Sequence, residues 1–259
     1  MRPNPLRERW ESGQIAIGGW LIIPSSVSAE VLGAADFDYV NVDLQHGLVD
    51  YSNLVPMLQA IQLGTPTPTV RVPWNEPGII GKVLDAGAMG VIVPMVNSRE
   101  ECEAAVQATR YAPAGHRSFG PTRVGAVEGA DYFDRANTDV ACIPMVETAQ
   151  AVERIDDILS VDGVEAIYVG PADLAISLGL PDDTDDAAFN DVLDTIVAAC
   201  NRHGVVPGIH ATAKLVAEHS ERGFRMITLG ADLVALRGGV ANDLAIARET
   251  SGDGSDSIY

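Results

Sequence analysis

A chain of 259 residues carrying 36 acidic against 17 basic side chains, with a formal net charge of −19, has the length of one eight-fold α/β barrel. That charge argues against nucleic acid or an anionic membrane surface as a partner. Hydrophobic residues make up 47% and aromatics 5%, so Ala, Val, Leu and Ile are expected to build a layered β/α core.

A carboxylate substrate would need a locally positive site on such a chain, supplied by a metal ion or an arginine. Solubility or adaptation to salt is reason enough for the global charge. Cys102, Cys142 and Cys200 are odd in number and widely spaced, which fits neither a disulfide framework nor a thiolate zinc site. No apolar run reaches about 18 residues, and MRPNPLRERW lacks the apolar centre of a signal peptide. A soluble protein of the reducing cytoplasm is expected.

After that short charged lead, QIAIGGWLIIP (14–24) reads as a first strand, and SSVSAEVLGAA (25–35) as a helix entered through a serine cap. YVNVDLQ (39–45) is the second strand, and the apolar spacing of 51–64 predicts a helix stopped at Gly64. TPTPTVRVP (65–73), a helix over 75–87 and GVIVPMV (90–96) follow, the last almost wholly apolar, as a strand covered on both faces should be. A helix over 98–110 leads into a long stretch, 111–138, rich in Gly, Pro and polar residues; loops of that length are functional or disordered. VACIPMVE (140–147), a helix over 148–161, EAIYVGP (165–171) and a short helix over 172–179 restore the alternation. PDDTDDAAFN (181–190) reads as an acidic capping insertion before a helix over 191–204, and VVPGIHA (205–211), a helix over 212–223 and RMITLGADL (225–233) complete the eighth unit. The tail is helical over 235–250, with SGDGSDSIY (251–259) frayed or disordered. Eight strand–helix units without a linker predict a single parallel (β/α)8 barrel over 1–259.

Several of these strands end in a residue that can do chemistry. Glu147 and Asp173 close consecutive strands, so their carboxylates can share a cation such as Mg²⁺ or Mn²⁺; the alternative is that each caps the helix after it. His46 follows the second strand with Asp43 three residues earlier, a carboxylate able to orient the ring of a general acid/base. Asp85, near a helix end, is a second possible partner or a solvated helix residue. Arg71 ends the third strand and suits a substrate carboxylate or a developing enolate oxygen, or else an ion pair with a barrel carboxylate. Arg117, Ser118, Gly120 and Arg123 lie in the long stretch, where they could meet the distal part of a substrate or a neighbouring subunit. His210 follows the seventh strand and could face the pocket, whereas His203 and His219 sit on helices and are expected at the surface. No phosphate-binding glycine loop or serine-nucleophile elbow occurs. The only lysines, Lys82 and Lys214, lie in helical contexts, which disfavours a Schiff base and favours metal chemistry.

Taken in order, VDLQHG (42–47), VRVP (70–73), LDAGAMGVIVPMV (84–96), RSFGPTR (117–123), PMVET (144–148) and YVGPADL (168–174) resemble the metal-dependent class II pyruvate aldolases, the family of 4-hydroxy-2-oxoheptanedioate aldolase. The resemblance spans the first strand to the eighth. It implies a TIM barrel of the phosphoenolpyruvate/pyruvate-binding type, assembled as a homotrimer or homohexamer, with Mg²⁺, Mn²⁺ or Co²⁺ held at Glu147 and Asp173. Arg71 matches the arginine at the keto oxygen of pyruvate, and His46 the acid/base. Asp43 and Asp85 match acidic residues associated with it, one of them reaching in from an adjacent subunit in related enzymes. Ala172 falls where a backbone amide contacts the pyruvate carboxylate.

The implied reaction is reversible cleavage of a 4-hydroxy-2-oxoacid into an aldehyde and pyruvate, or a close analogue such as hydroxypyruvate, through a metal-stabilised enolate. An acyl-CoA lyase of the same barrel superfamily and a noncatalytic barrel subunit are the competing readings. Two positions depart from the family pattern: Gln45 stands where Glu is common before the histidine, and Met145 where a Gln is common two residues before the metal-binding Glu.

Overall fold

Eight parallel strands close on one another in strict chain order: β1 (Ala16–Leu21), β2 (Tyr39–Asp43), β3 (Thr67–Arg71), β4 (Gly90–Val93), β5 (Ala141–Val146), β6 (Ala166–Val169), β7 (Val206–Ala211) and β8 (Met226–Ala231), with β8 returning to β1. This computed structural model describes residues 4–180 and 186–251. Every strand lies inside the segment predicted for it.

The helices are α1 (Pro5–Glu11), α2 (Ser26–Ala34), α3 (Tyr51–Ile61), α4 (Pro77–Asp85), α5 (Arg99–Thr109), α6 (Thr122–Glu128) and α7 (Tyr132–Asp139) in the first half. The second half adds α8 (Ala149–Glu153), α9 (Ile155–Leu159), α10 (Pro171–Leu178), α11 (Ala187–His203), α12 (Val216–Arg222) and α13 (Asp232–Ser251). Short polar side chains start many of them: Ser25, Asp50, Ser98, Thr148 and Asp186 each accept a backbone N–H of the first turn of α2, α3, α5, α8 and α11.

Strand periodicity divides the core in two. Val40, Val42, Val70, Val91, Val93, Val146, Ile167, Val169, Ile209 and Ile227 point outward into the layer shared with the helices. Their alternates fill the barrel, where Trp20, Tyr39, Ile92, Ile143, Met145, Tyr168 and Met226 pack together. Three aromatic side chains, Trp20, Tyr39 and Tyr168, thus stand among the aliphatic residues expected to make up most of the core. Gly18 makes room for one of them: a Cβ there would lie 2.1 Å from the Tyr39 ring.

Four segments differ from the sequence expectation, the simplest being the helix expected over 148–161, which breaks at Arg154 into α8 and α9. The charged lead forms α1, capped by Asn4, whose Nδ2 also donates to Met89 O (3.1 Å) and Asp139 O (2.8 Å) just ahead of β4 and β5. Leu6 and Trp10 then seal the N-terminal end of the barrel, two apolar anchors hidden among Arg7, Glu8, Arg9 and Glu11. The long stretch 111–138 is ordered by a separate small core of Tyr111, Val124, Tyr132 and Ala136, and carries α6 and α7. The helix expected from 191 begins at Ala187 on an Asp186 cap; the other acidic residues of that insertion, and the tail from 252, lie outside the described residues.

All three cysteines are free and buried, and no helix among the described residues is long and apolar enough to cross a membrane. Because Leu6 is fully enclosed at the barrel floor, Leu6→Ala is predicted to cost about 2–5 kcal/mol. Denaturant unfolding checks this, and an unchanged midpoint would show that α1 does not close the barrel.

Candidate active site

Parallel pairing places Asp43 beside Arg71, with Tyr39 opposite Thr67 and Asn41 opposite Thr69 deeper in the barrel. All of these side chains point inward, so the last pair of the β2–β3 ladder is a carboxylate and a guanidinium at the C-terminal mouth. They form a two-pronged ion pair, Arg71 Nε to Asp43 Oδ1 at 2.8 Å and Nη2 to Oδ2 at 2.5 Å. Trp20 Nε1 donates to Asp43 Oδ2 (3.2 Å), and the Arg71 guanidinium lies 5.0 Å from the Trp20 ring centroid. Burial pushes the Asp43 carboxyl upward, but the Arg71 hydrogen bonds and charge outweigh it and hold it below the usual carboxylate range.

This arrangement corrects the expectation that Asp43 orients the His46 ring. Asp43 Oδ1 accepts the backbone N–H groups of Gln45 (3.0 Å) and His46 (3.3 Å), shaping the turn after β2 rather than touching the imidazole. His46 is exposed at the cavity wall, and no side-chain hydrogen bond holds its ring among the described residues.

Glu147 is 2% exposed at the end of β5. The helix-cap alternative does not hold for it, because Thr148 caps α8 while Glu147 Oε1 accepts the Met95 N–H at 2.7 Å. Met95 has φ 57°, a left-handed conformation that a non-glycine residue adopts at some cost, and it aims that N–H. Glu147 Oε2 has no hydrogen-bond partner among the described residues, and Gly170 keeps the space beside it clear: a Cβ there would lie 2.7 Å from Oε2. Burial raises the Glu147 pKa, and the neighbouring Asp173 charge adds to that rise. Asp173 stands in the first turn of α10, which has no side-chain cap.

Two acids held together with their nearby guanidinium already committed to Asp43 form a donor set suited to a divalent cation. A hard cation held by two carboxylates completes its shell with water and substrate oxygens. Among the described residues no cluster of three or more His, Cys, Asp or Glu ligands occurs.

A cavity of about 480 Å³ opens over these groups, with Trp20, His46, Arg71, Met145, Tyr168, Ala172, Asp173 and His210 in its wall. Ala172 belongs to the first turn of α10, whose early N–H groups have no partner within the helix and present the positive end of its dipole. Sequence reasoning missed the inner polar chain: Tyr168 OH donates to Thr228 Oγ1 (2.5 Å), Tyr39 OH meets the same oxygen at 2.7 Å, and His210 Nδ1 lies 3.3 Å from Tyr168 OH. The i, i+2 alternation of β6 and β8 was the available signal.

Asp85 and Arg117 are not brought to this mouth. They pair with each other at 2.7 Å, with Arg117 buried between Tyr111 and Tyr132 (4.4 and 5.7 Å to the ring centroids), while Ser118 is exposed beside them. Within one chain, neither acts at His46 or at the distal end of the cavity. His219, expected at the surface, is 2% exposed, packed edge-on against Phe224 and part of the outer cavity wall. Met145 is buried in the cavity wall, and Gln45 Oε1 is buried without a hydrogen-bond partner among the described residues.

The family model described as HpcH/HpaI aldolase/citrate lyase matches residues 17–238. The chain belongs to this family. A hydroxypyruvate/pyruvate aldolase of Rhizorhabdus wittichii is 40% identical over 252 residues, covering 95% of this chain and 99% of the relative. A 5-keto-4-deoxy-D-glucarate aldolase of Escherichia coli O157:H7 is 36% identical over 241 residues, covering 91% and 93%. The crystal structure of a family protein from Burkholderia cenocepacia J2315 superposes with a TM-score of 0.89 at 32% identity, covering 95% and 99%. The expected family and barrel are therefore present.

Asp43→Asn should destabilise the fold by about 3 kcal/mol near pH 7 by leaving Arg71 buried opposite a neutral amide. Because the folded-state pKa of Asp43 is depressed, its contribution is full above the ordinary carboxylate value and fades as pH falls through the lower, folded-state value. Unfolding curves of wild type and variant should therefore converge in acid; a gap independent of pH would contradict the pairing.

Proposed function

We propose that this chain is a divalent-metal-dependent aldehyde-lyase that reversibly cleaves a 4-hydroxy-2-oxoacid to an aldehyde and pyruvate or hydroxypyruvate. The observation that carries the reading is Glu147, buried, aimed by Met95 N–H and left with Oε2 open beside Gly170, in the company of Asp173. Relatives named as aldolases along nearly the whole chain support it.

Glu147 and Asp173 would hold Mg²⁺, Mn²⁺ or Co²⁺, which supplies Lewis-acid polarisation of the 2-oxo group when bound. The N–H of Ala172, at the positive end of α10, would bind the substrate carboxylate. Arg71 is fixed by Asp43 and Trp20, so its charge stands ready for the oxygen that becomes negative as the bond breaks, with no reorganisation at that moment. His46 takes the C4 hydroxyl proton, directly or through one water. The C3–C4 electron pair passes into the pyruvate enolate, the aldehyde leaves, and C3 is then protonated.

The cavity disfavours the acyl-CoA reading, because Arg71 is its only Lys or Arg lining residue among those described, and it is already ion-paired. A noncatalytic barrel would have no need of the Met95–Glu147 arrangement.

A homo-oligomer, trimer or hexamer, is the assembly proposed. In support, α13 leaves Val234, Leu236, Val240 and Leu244 at 50–62% exposure, an apolar surface suited to a second copy. Such an assembly is also the route by which Asp85 and Arg117 would reach a neighbouring mouth.

Exhaustive chelation should abolish aldol cleavage, and Mg²⁺, Mn²⁺ or Co²⁺ should restore it; full activity of metal-stripped protein would refute the reading. Glu147→Gln should weaken divalent-metal binding, whereas His46→Ala should lower kcat by about 10²–10⁴-fold with metal affinity retained. Calorimetry with metal beside steady-state rates separates the two roles, and the reverse pattern would overturn them. Light scattering should report an oligomer that Leu236→Glu with Leu244→Glu dissociates; a wild-type monomer would refute the assembly.

A further inference from the structure

His210 stands near the C-terminal end of β7 and is the one cavity-lining side chain tied into the buried polar chain through Tyr168. Tyr168 commits its single hydroxyl proton to Thr228 Oγ1 at 2.5 Å, the shorter of its two contacts. The 3.3 Å contact to His210 is then completed by a proton on Nδ1, donated to the Tyr168 oxygen. Burial, and after it the charge of Arg71, pushes the His210 pKa down to about 4, so the ring is neutral near pH 7. A neutral imidazole with its proton on Nδ1 carries its lone pair on Nε2.

The position of that lone pair is constrained. The ring meets Trp20 edge-on at 5.3 Å, and Trp20 is itself held by Asp43 and stacked on Tyr168 at 5.6 Å. Nε2 has no hydrogen-bond partner among the described residues and is not an enclosed orphan, which leaves it facing the cavity. A carbonyl, carboxylate or methyl group brings no suitable proton to such an acceptor and would leave it desolvated and unpaired, whereas a hydroxyl satisfies it.

We propose that His210 Nε2 is a built-in acceptor for a substrate hydroxyl, selecting hydroxylated substrates over their deoxy counterparts, with Tyr168 as the positioning residue that fixes the tautomer. This rests on the reading of the cavity as a 2-oxoacid aldolase site. The hydroxyl belongs either to C3 of the 2-oxoacid or to the carbon beside the aldehyde, and the two are separable by experiment.

Dissociation constants for hydroxypyruvate and pyruvate are measured calorimetrically with Mg²⁺ for wild type, His210→Phe, His210→Gln and Tyr168→Phe. Aldol-addition rates are measured in parallel, with each donor and with glycolaldehyde or acetaldehyde as acceptor. His210→Phe should lower the preference for the hydroxylated partner by about fivefold or more, by removing both the hydroxyl's acceptor and the cost of leaving that acceptor unpaired beside a methyl group. His210→Gln, which keeps an acceptor, should recover part of the preference, and Tyr168→Phe should fall between. A shift in the hydroxypyruvate ratios assigns the hydroxyl to the 2-oxoacid, and one confined to glycolaldehyde assigns it to the aldehyde. Ratios equal in wild type and His210→Phe in every arm overturn the proposal. A His210-dependent binding preference without turnover of any donor upholds it and overturns the aldolase reading instead.

Discussion

The mouth of this barrel is organised around one ion pair. Arg71 is 8% exposed, and a guanidinium that deep cannot stand without a counter-charge. Parallel register supplies one, since Asp43 lies directly across the ladder. The pair holds Trp20, Trp20 stacks on Tyr168 and meets His210, and Tyr168 reaches Thr228. The rigidity of the inner wall therefore descends from a single pair of adjacent strand ends. Asp43 is thereby committed to Arg71 and to the turn after β2, leaving His46 at the rim with no carboxylate among the described residues bonded to its ring.

Arg71 is bound to Asp43, and its charge offsets only part of the rise at Glu147. Burial raises Glu147, and Asp173 raises it further. A divalent cation would relieve both effects, and would make an acidic chain of net charge −19 hospitable to an anionic 2-oxoacid. Gly170 and the left-handed Met95 show the backbone shaped around one carboxylate oxygen in use and one left open. Such local cost is what a site held ready for a ligand entails.

The strands and most helices were legible in the sequence because apolar runs bounded by Gly, Pro and capping residues repeat eight times. The placement of Asp173, Arg71, His46 and Ala172 around one cavity, with Glu147 beside Gly170 in its wall, was legible too, since each follows or ends a strand. Partnerships were not. Whether Arg71 meets Asp43, or Asp43 meets His46, is decided by cross-strand register, which a single sequence does not display. Arg117 and Asp85 find each other across 32 positions through the small aromatic core of α6 and α7, a segment whose glycines and prolines read as loop. The α1 plug escaped notice because only Leu6 and Trp10 are apolar anchors in a charged stretch.

If the mouth is built to stabilise an enolate, it should enolise pyruvate without any aldehyde. The direct measurement is deuterium incorporation at C3 of pyruvate in D₂O, followed by proton NMR with Mg²⁺ or Mn²⁺ present. Wild type should exchange the methyl protons well above the metal-only rate, and Glu147→Gln should not. Exchange no faster than free metal, or exchange that survives Glu147→Gln undiminished, would contradict the account.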